Sequence, residues 1–139
     1  MNAWGHHPAV YAVEPVNEPW EKSDFPTLKN FYRSVRAVIR EINPEVKFVF
    51  HDAFTPRADH WNDLFADDDI ENTILDTHAY MAWYSKMDNI SEYCDKYTSL
   101  LLDEQIRTIK YPIWVGEWSL ATDACATWLG GFNDHNTVF

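Results

Sequence analysis

Glu18 and Glu117 lie far apart in the chain, yet each follows a run that reads as a buried strand. Val10 to Val16 is apolar apart from Glu14, and Pro19, which has no N–H for a ladder, ends it. Pro112-Ile113-Trp114-Val115-Gly116 is a second such run and stops at Glu117-Trp118-Ser119. Two carboxyl groups at the ends of separate strands can divide acid and nucleophile work. A protonated one donates to a glycosidic oxygen, and an ionised one attacks the anomeric carbon. The roles need different surroundings. Glu18, beside Pro19 and Trp20, has the drier neighbourhood, which favours a neutral acid. Glu117 is held as an anion if His78 or Tyr80 donates a hydrogen bond to it. Asn17 is placed to hydrogen-bond a sugar 2-hydroxyl, and Trp83 and Trp118 to stack on sugar rings.

Each residue also has a plain alternative. Glu18 alone is a loop acid next to a proline, and Glu117 alone is a surface charge at a strand end. His78 alone is a core histidine bonded to a backbone carbonyl, and Trp83 and Trp118 are packing residues. Glu14 is expected as an interior carboxylate paired with a basic group. What counts against the plain readings taken together is their position in successive units of the chain.

Those units alternate strand and helix. After Trp20, Ser23 or Asp24 caps a helix with Pro26 in its first turn. Leu28, Phe31, Tyr32, Val35, Val38, Ile39 and Ile42 give it an apolar stripe, and Asn43-Pro44 stops it. Val46 to Phe50 is the next strand, ending in His51-Asp52, with a short helix around Ala58 to Phe65. Thr73-Ile74-Leu75 is a third strand, leading to Thr77-His78-Ala79-Tyr80. A longer helix begins near Asp88 or Asn89. The run into Glu117 is the fourth strand, and a last helix holds Cys125, Trp128 and Leu129 before Gly130-Gly131. Alternation of this kind predicts parallel strands with right-handed crossovers, whose C-terminal ends share one rim. Asn17/Glu18, His51/Asp52, His78/Tyr80 and Glu117 all fall on it. Four units are half of a (β/α)8 barrel and leave open sheet edges. We therefore expect an α/β chain, a partial (β/α)8 barrel comprising roughly strands four to seven. Residues 1–139 should form one piece of a single catalytic barrel, with no second domain.

Composition narrows the ligand class. The chain has 139 residues, 16% of them aromatic, and a formal net charge of -11. Such a surface repels nucleic acid phosphates. No stretch is apolar and long enough for a membrane span, and no leader is visible at Met1. Asp67-Asp68-Asp69 lacks the alternating ligands of a calcium loop and reads as a solvated turn. Cys94 and Cys125 make neither a disulfide framework nor a zinc motif, and their pairing stays open. Asn89-Ile90-Ser91 is a glycosylation sequon, which matters only in a secreted protein.

Several segments together resemble glycoside hydrolase family 5. They are Val13 to Pro19, Phe50-His51-Asp52-Ala53-Phe54, Asp76-Thr77-His78-Ala79-Tyr80 and Val115 to Ser119, with Thr122 to Gly131 beyond. Within that family the likeness is to the exo-β-1,3-glucanase branch, over nearly the whole of Val10 to Asp134. The resemblance implies retaining hydrolysis of β-glucosidic bonds, with Glu18 as acid/base and Glu117 as nucleophile. It implies substrate contacts from Asn17, His78 and Tyr80, and an entrance aromatic at Trp83, where the branch carries Phe. It further implies a β-glucan or oligosaccharide substrate, no cofactor, no metal, an extracellular or cell-wall setting and a monomer at full length. Two other readings use the same rim. One is β-1,4- or β-1,6-glucan cleavage or transglycosylation by the same machinery. The other is a metal-dependent hydrolase built on His51, Asp52, His78 and Glu117. A glucan-binding module that has lost catalysis would lack one glutamate, and both are present.

Overall fold

The structure is a computed structural model that describes residues 3–66, 70–84 and 87–119. Four parallel strands form one sheet in the order β1-β2-β3-β4. They are β1 (Ala12–Val13), β2 (Lys47–His51), β3 (Thr73–Tyr80) and β4 (Ile113–Ser119). Between them run α1 (Phe25–Ile42), α2 (Ala58–Trp61), α3 (Ile90–Leu101) and α4 (Glu104–Arg107), with a 3₁₀ turn at Met81–Trp83. Sequential parallel neighbours joined by helices are the repeating unit of a (β/α)8 barrel, and the chain forms part of one. Among the described residues no helix is long and apolar enough to cross a membrane. The helix expected at Cys125 to Leu129 and the Asp67-Asp68-Asp69 turn lie outside the described residues, as does Cys125; Cys94 is an exposed thiol.

The α1 boundaries follow from local chemistry. The Asp24 side chain accepts from Thr27 N–H, Pro26 sits in the first turn, and the Asn43 N–H closes the last turn on the Ile39 carbonyl. Leu28, Tyr32 and Ile39 are buried against Phe48, Phe50 and Leu75, while Phe31 and Val38 on the edge of the stripe are exposed. The core thus fills the helix side of the sheet, with Trp61, Leu64, Phe65 and Tyr111 completing it.

Strand lengths differ from the expectation in a consistent way. The first strand is two residues rather than seven, because only Ala12 and Val13 pair with β2 and Pro15 soon interrupts the ladder. The third and fourth strands run further than expected, to Tyr80 and Ser119. They pair with each other as far as those residues, so His78, Tyr80 and Glu117 stand within strands and not in the loops beyond.

Candidate active site

Side chains alternate across a strand, so Asp76, His78 and Tyr80 share one face of β3, opposite the core face that carries Leu75. On β4 the alternation is broken. Thr77 pairs with Val115, and the next pair is His78 with Glu117, so Gly116 is an extra residue, a β-bulge. The bulge turns Glu117 to the face that carries His78. Trp118 pairs with Ala79, and alternation puts it on the other face.

His78 is the hub. Its side chain is 2% exposed, and its Nδ1 lies 2.7 Å from Glu18 Oε1 and 3.5 Å from Glu117 Oε2. Its Nε2 lies 3.3 Å from Asp76 Oδ2. The Tyr80 hydroxyl donates to Glu117 Oε2 at 2.7 Å. Two oxygens that reach one nitrogen can be no further apart than the sum of 2.7 and 3.5 Å, so Glu18 and Glu117 converge. Burial lowers the His78 pKa, but the Glu18 hydrogen bond and the charges of Asp76, Glu117 and Glu18 outweigh it and hold the ring above its ordinary value. Tyr80 is raised too, first by its bond to Glu117.

The two glutamates were expected to differ in wetness. Their side chains are instead similarly open, 35% for Glu18 and 42% for Glu117, and Trp20 is exposed. What separates them is the partner: an imidazole for Glu18, a phenol for Glu117. Glu18 also has φ 43°, in the left-handed region that a non-glycine residue enters only under constraint.

His51, fully buried at the end of β2, stacks edge-on to His78 with ring centroids 4.3 Å apart. Its Nδ1 accepts the Ala53 N–H at 3.0 Å. Burial, then the His78 charge, push its pKa down to about 4. Asp52 Oδ1 accepts the Phe54 N–H at 2.7 Å, closing a turn in which Ala53 and Phe54 have φ 52° and 58°. Asp52 therefore shapes the rim, and burial pushes its pKa up to about 6.

Among the described residues Glu14 makes no ion pair with the basic group expected for it, and of basic groups only the His78 charge acts on it, from across the interior. It lines a small interior cavity with Asn17, Asp76, His78, Trp114 and Glu117, and its pKa is pushed up to about 7 by burial and then by the Asp76 charge. Toward the rim a wider cleft of about 930 Å³ opens over Glu18, His78, Tyr80 and Glu117, with Trp20, Phe54, Trp83 and Tyr84 among its walls. Trp83 is 85% exposed there. The structure thus brings Glu18, Glu117, His78, Tyr80, Asn17 and Trp83 to two cavities that share His78 and Glu117 as walls, whereas Trp118 lines neither.

Glu18, His51 and His78 also lie close enough to suggest a metal centre. The donor chemistry does not fit. With Nδ1 accepting from Ala53, a neutral His51 carries its proton on Nε2. Ligation through Nε2 would force a proton onto Nδ1, against the amide N–H. Asp76 and Gly116 were overlooked as site residues in the sequence. The signals were there: Asp76, His78 and Tyr80 recur at the strand period, and a glycine within a strand marks a bulge.

No family model matches the chain. Curated relatives do. The chain is 28% identical over 124 residues to a probable glucan 1,3-beta-glucosidase A of Neosartorya fischeri, covering 88% of this chain and 29% of the relative. It is 33% identical over 127 residues to a glucan 1,3-beta-glucosidase of Blumeria graminis, with the same two coverages. The chain resembles part of a glucan 1,3-beta-glucosidase. Among solved structures, a rutinosidase from Aspergillus niger superposes with a TM-score of 0.63 at 26% identity, over 81% of this chain and 34% of that one. The chain spans about three tenths of the length of the curated relatives it matches.

Proposed function

We propose that these residues form the catalytic half of a retaining β-glucoside hydrolase that removes glucose from the ends of β-1,3-glucan. The observation that carries the reading is the convergence of Glu18 and Glu117 on the single nitrogen of His78. Direct attack with retention calls for carboxyl groups about 5–5.5 Å apart, and activation of water from the far face for roughly 6.5–9.5 Å. The upper bound set by His78 supports the shorter class. The names of the curated relatives supply the linkage.

In this reading Tyr80 holds Glu117 Oε2, leaving Oε1 to attack the anomeric carbon. The C–O bond to the leaving sugar breaks as Glu18 passes a proton to that oxygen. That proton comes from the His78 Nδ1–Glu18 Oε1 hydrogen bond, and the ring is left neutral. Water then enters, Glu18 takes its proton, and the hydroxyl displaces Glu117 with a second inversion. Asn17 hydrogen-bonds the 2-hydroxyl, and Trp83 covers the sugar at the entrance. The enzyme works as a secreted or wall-bound monomer.

The test uses the intact gene product. Glu117→Ala should abolish turnover of every substrate. Glu18→Ala should depress glucan cleavage by about 10²–10⁴-fold while an activated aryl glucoside still glycosylates the enzyme. Proton NMR should show the β-anomer released first. Initial release of the α-anomer would remove Glu117 from the nucleophile role.

A further inference from the structure

The carboxylate of Asp76 is buried in the sheet and is bonded at both ends. Oδ1 accepts the Gly116 N–H at 2.6 Å, and Oδ2 faces His78 Nε2 at 3.3 Å. Gly116 is the bulge residue, and its missing side chain is the space the carboxylate occupies. A Cβ built at position 116 would overlap both oxygens of Asp76 and sit 2.6 Å from its Cγ. The carboxylate and the extra backbone residue are therefore one fitted unit.

Consider the strand without that unit. If the bulge were flattened, with Gly116 kept and paired to His78, the register of β4 would slip by one beyond Val115, and a one-residue slip turns every following side chain to the opposite face. Glu117 would leave His78 and Tyr80, and Trp118 would take its place. The second end of Asp76 acts on His78. Asp76 as a carboxylate accepts only and holds a hydrogen on Nε2, while Glu18, the proton donor of the reaction proposed above, carries the other proton when the ring is neutral, so that Nδ1 accepts from it. The labile proton is then confined to Nδ1, the nitrogen that faces both glutamates.

We propose that Asp76 is the positioning residue of this site, seating the Gly116 bulge that aims Glu117 inward and fixing the Nε2–H tautomer of His78. It touches no sugar, and it rests on the roles of Glu18 and Glu117 proposed above. The groups facing His78 are Glu18 and Asp76 at hydrogen-bonding distance, Glu117 at 3.5 Å from Nδ1, Glu14 by its charge across the inner cavity, and the neutral His51 ring edge-on.

Two measurements test this. The first is proton occupancy of the His78 nitrogens by long-range proton–nitrogen NMR on the intact, ¹⁵N-histidine-labelled protein. In the wild type, Nε2 should stay protonated after the ring becomes neutral. Asp76→Asn can still accept from Gly116 N–H but then turns its amide donor toward Nε2, so the neutral tautomer should switch to Nδ1–H. A wild-type Nε2 that loses its proton first, or an Asp76→Asn spectrum with Nε2 still protonated, overturns the proposal. The second is a mutant cycle on aryl glucoside turnover. Gly116→Ala alone should lower kcat at least tenfold, with KM within twofold. Added to Asp76→Ala, which empties the space, it should change kcat less than twofold. Equal losses in both backgrounds overturn the fitted unit. If the wild type proves inactive on every β-glucoside, the glycosidase reading fails, yet the NMR result still decides what Asp76 does. That spectrum needs only the wild-type fold.

Discussion

His51 shows how one buried ring sets an acid limit on this fold. The native ring titrates near 4, against an ordinary value of 6.5, because burial and the His78 charge oppose its cation. Between those values the unfolded chain holds the extra proton, so the stability due to a neutral His51 is complete above pH 6.5 and is lost as pH falls toward 4. Asp52 works in the opposite sense. Its native pKa of about 6 exceeds 3.8, so the native state holds the extra proton and gains stability as pH falls from 6 to 3.8. Either shift corresponds to roughly 3 kcal/mol. The two offset each other in the wild type, and single variants should expose them. Relative to wild type, the urea midpoint of Asp52→Asn should fall more steeply from pH 6.5 to 4. That of His51→Gln should rise over the same range. Parallel profiles for all three proteins would refute the assignment.

At the scale of elements, α1 is tied to the site through Tyr32. Its hydroxyl donates to the His51 carbonyl at 3.0 Å, where β2 gives way to the Asp52 turn, and its ring lies amid Phe48, Phe50 and Trp61. Tyr32→Phe keeps the ring and strands a buried carbonyl, which should cost about 1–3 kcal/mol. Urea unfolding should show a lower midpoint with an unchanged slope. A variant as stable as wild type would mean that another donor reaches that carbonyl.

The helix stripe that places Tyr32 was legible from spacing, as were the four-strand order and a cap at Ser23 or Asp24, of which the structure uses Asp24. The strand ends were not. A strand ends where its partner ends, and β3 and β4 extend each other to Tyr80 and Ser119 through pairing that neither sequence run declares alone. The same holds for Trp118. Counting alternate residues back from it cannot reveal its face, because the count passes through Gly116. Glu14 escaped for a third reason. Its raised pKa comes first from burial and then from the Asp76 and Glu117 charges across the interior, surroundings set only by the curl of the sheet.

That curl governs the whole molecule. Tyr11, just before β1, stacks on Trp114 of β4 with ring centroids 6.1 Å apart and planes 12° off parallel, although two strands separate them in the sheet. Among the described residues the outer edges of β1 and β4 pair with nothing further in the sheet, and Trp114, Val115 and Trp118 are all exposed. Unpaired edges with apolar neighbours favour edge-to-edge association. The formal charge of -11 opposes it by mutual repulsion. These terms respond differently to salt. Screening shortens the reach of the charge to about 3 Å at 1 M from about 30 Å at 0.01 M and leaves strand pairing nearly untouched. The 139 residues produced by themselves should therefore associate, and more strongly as salt rises. Light scattering across a salt series should show the mass climbing, with no turnover of laminarin at any point. A monomer at high salt that melts cooperatively and cleaves laminarin would show that four strands close the fold unaided.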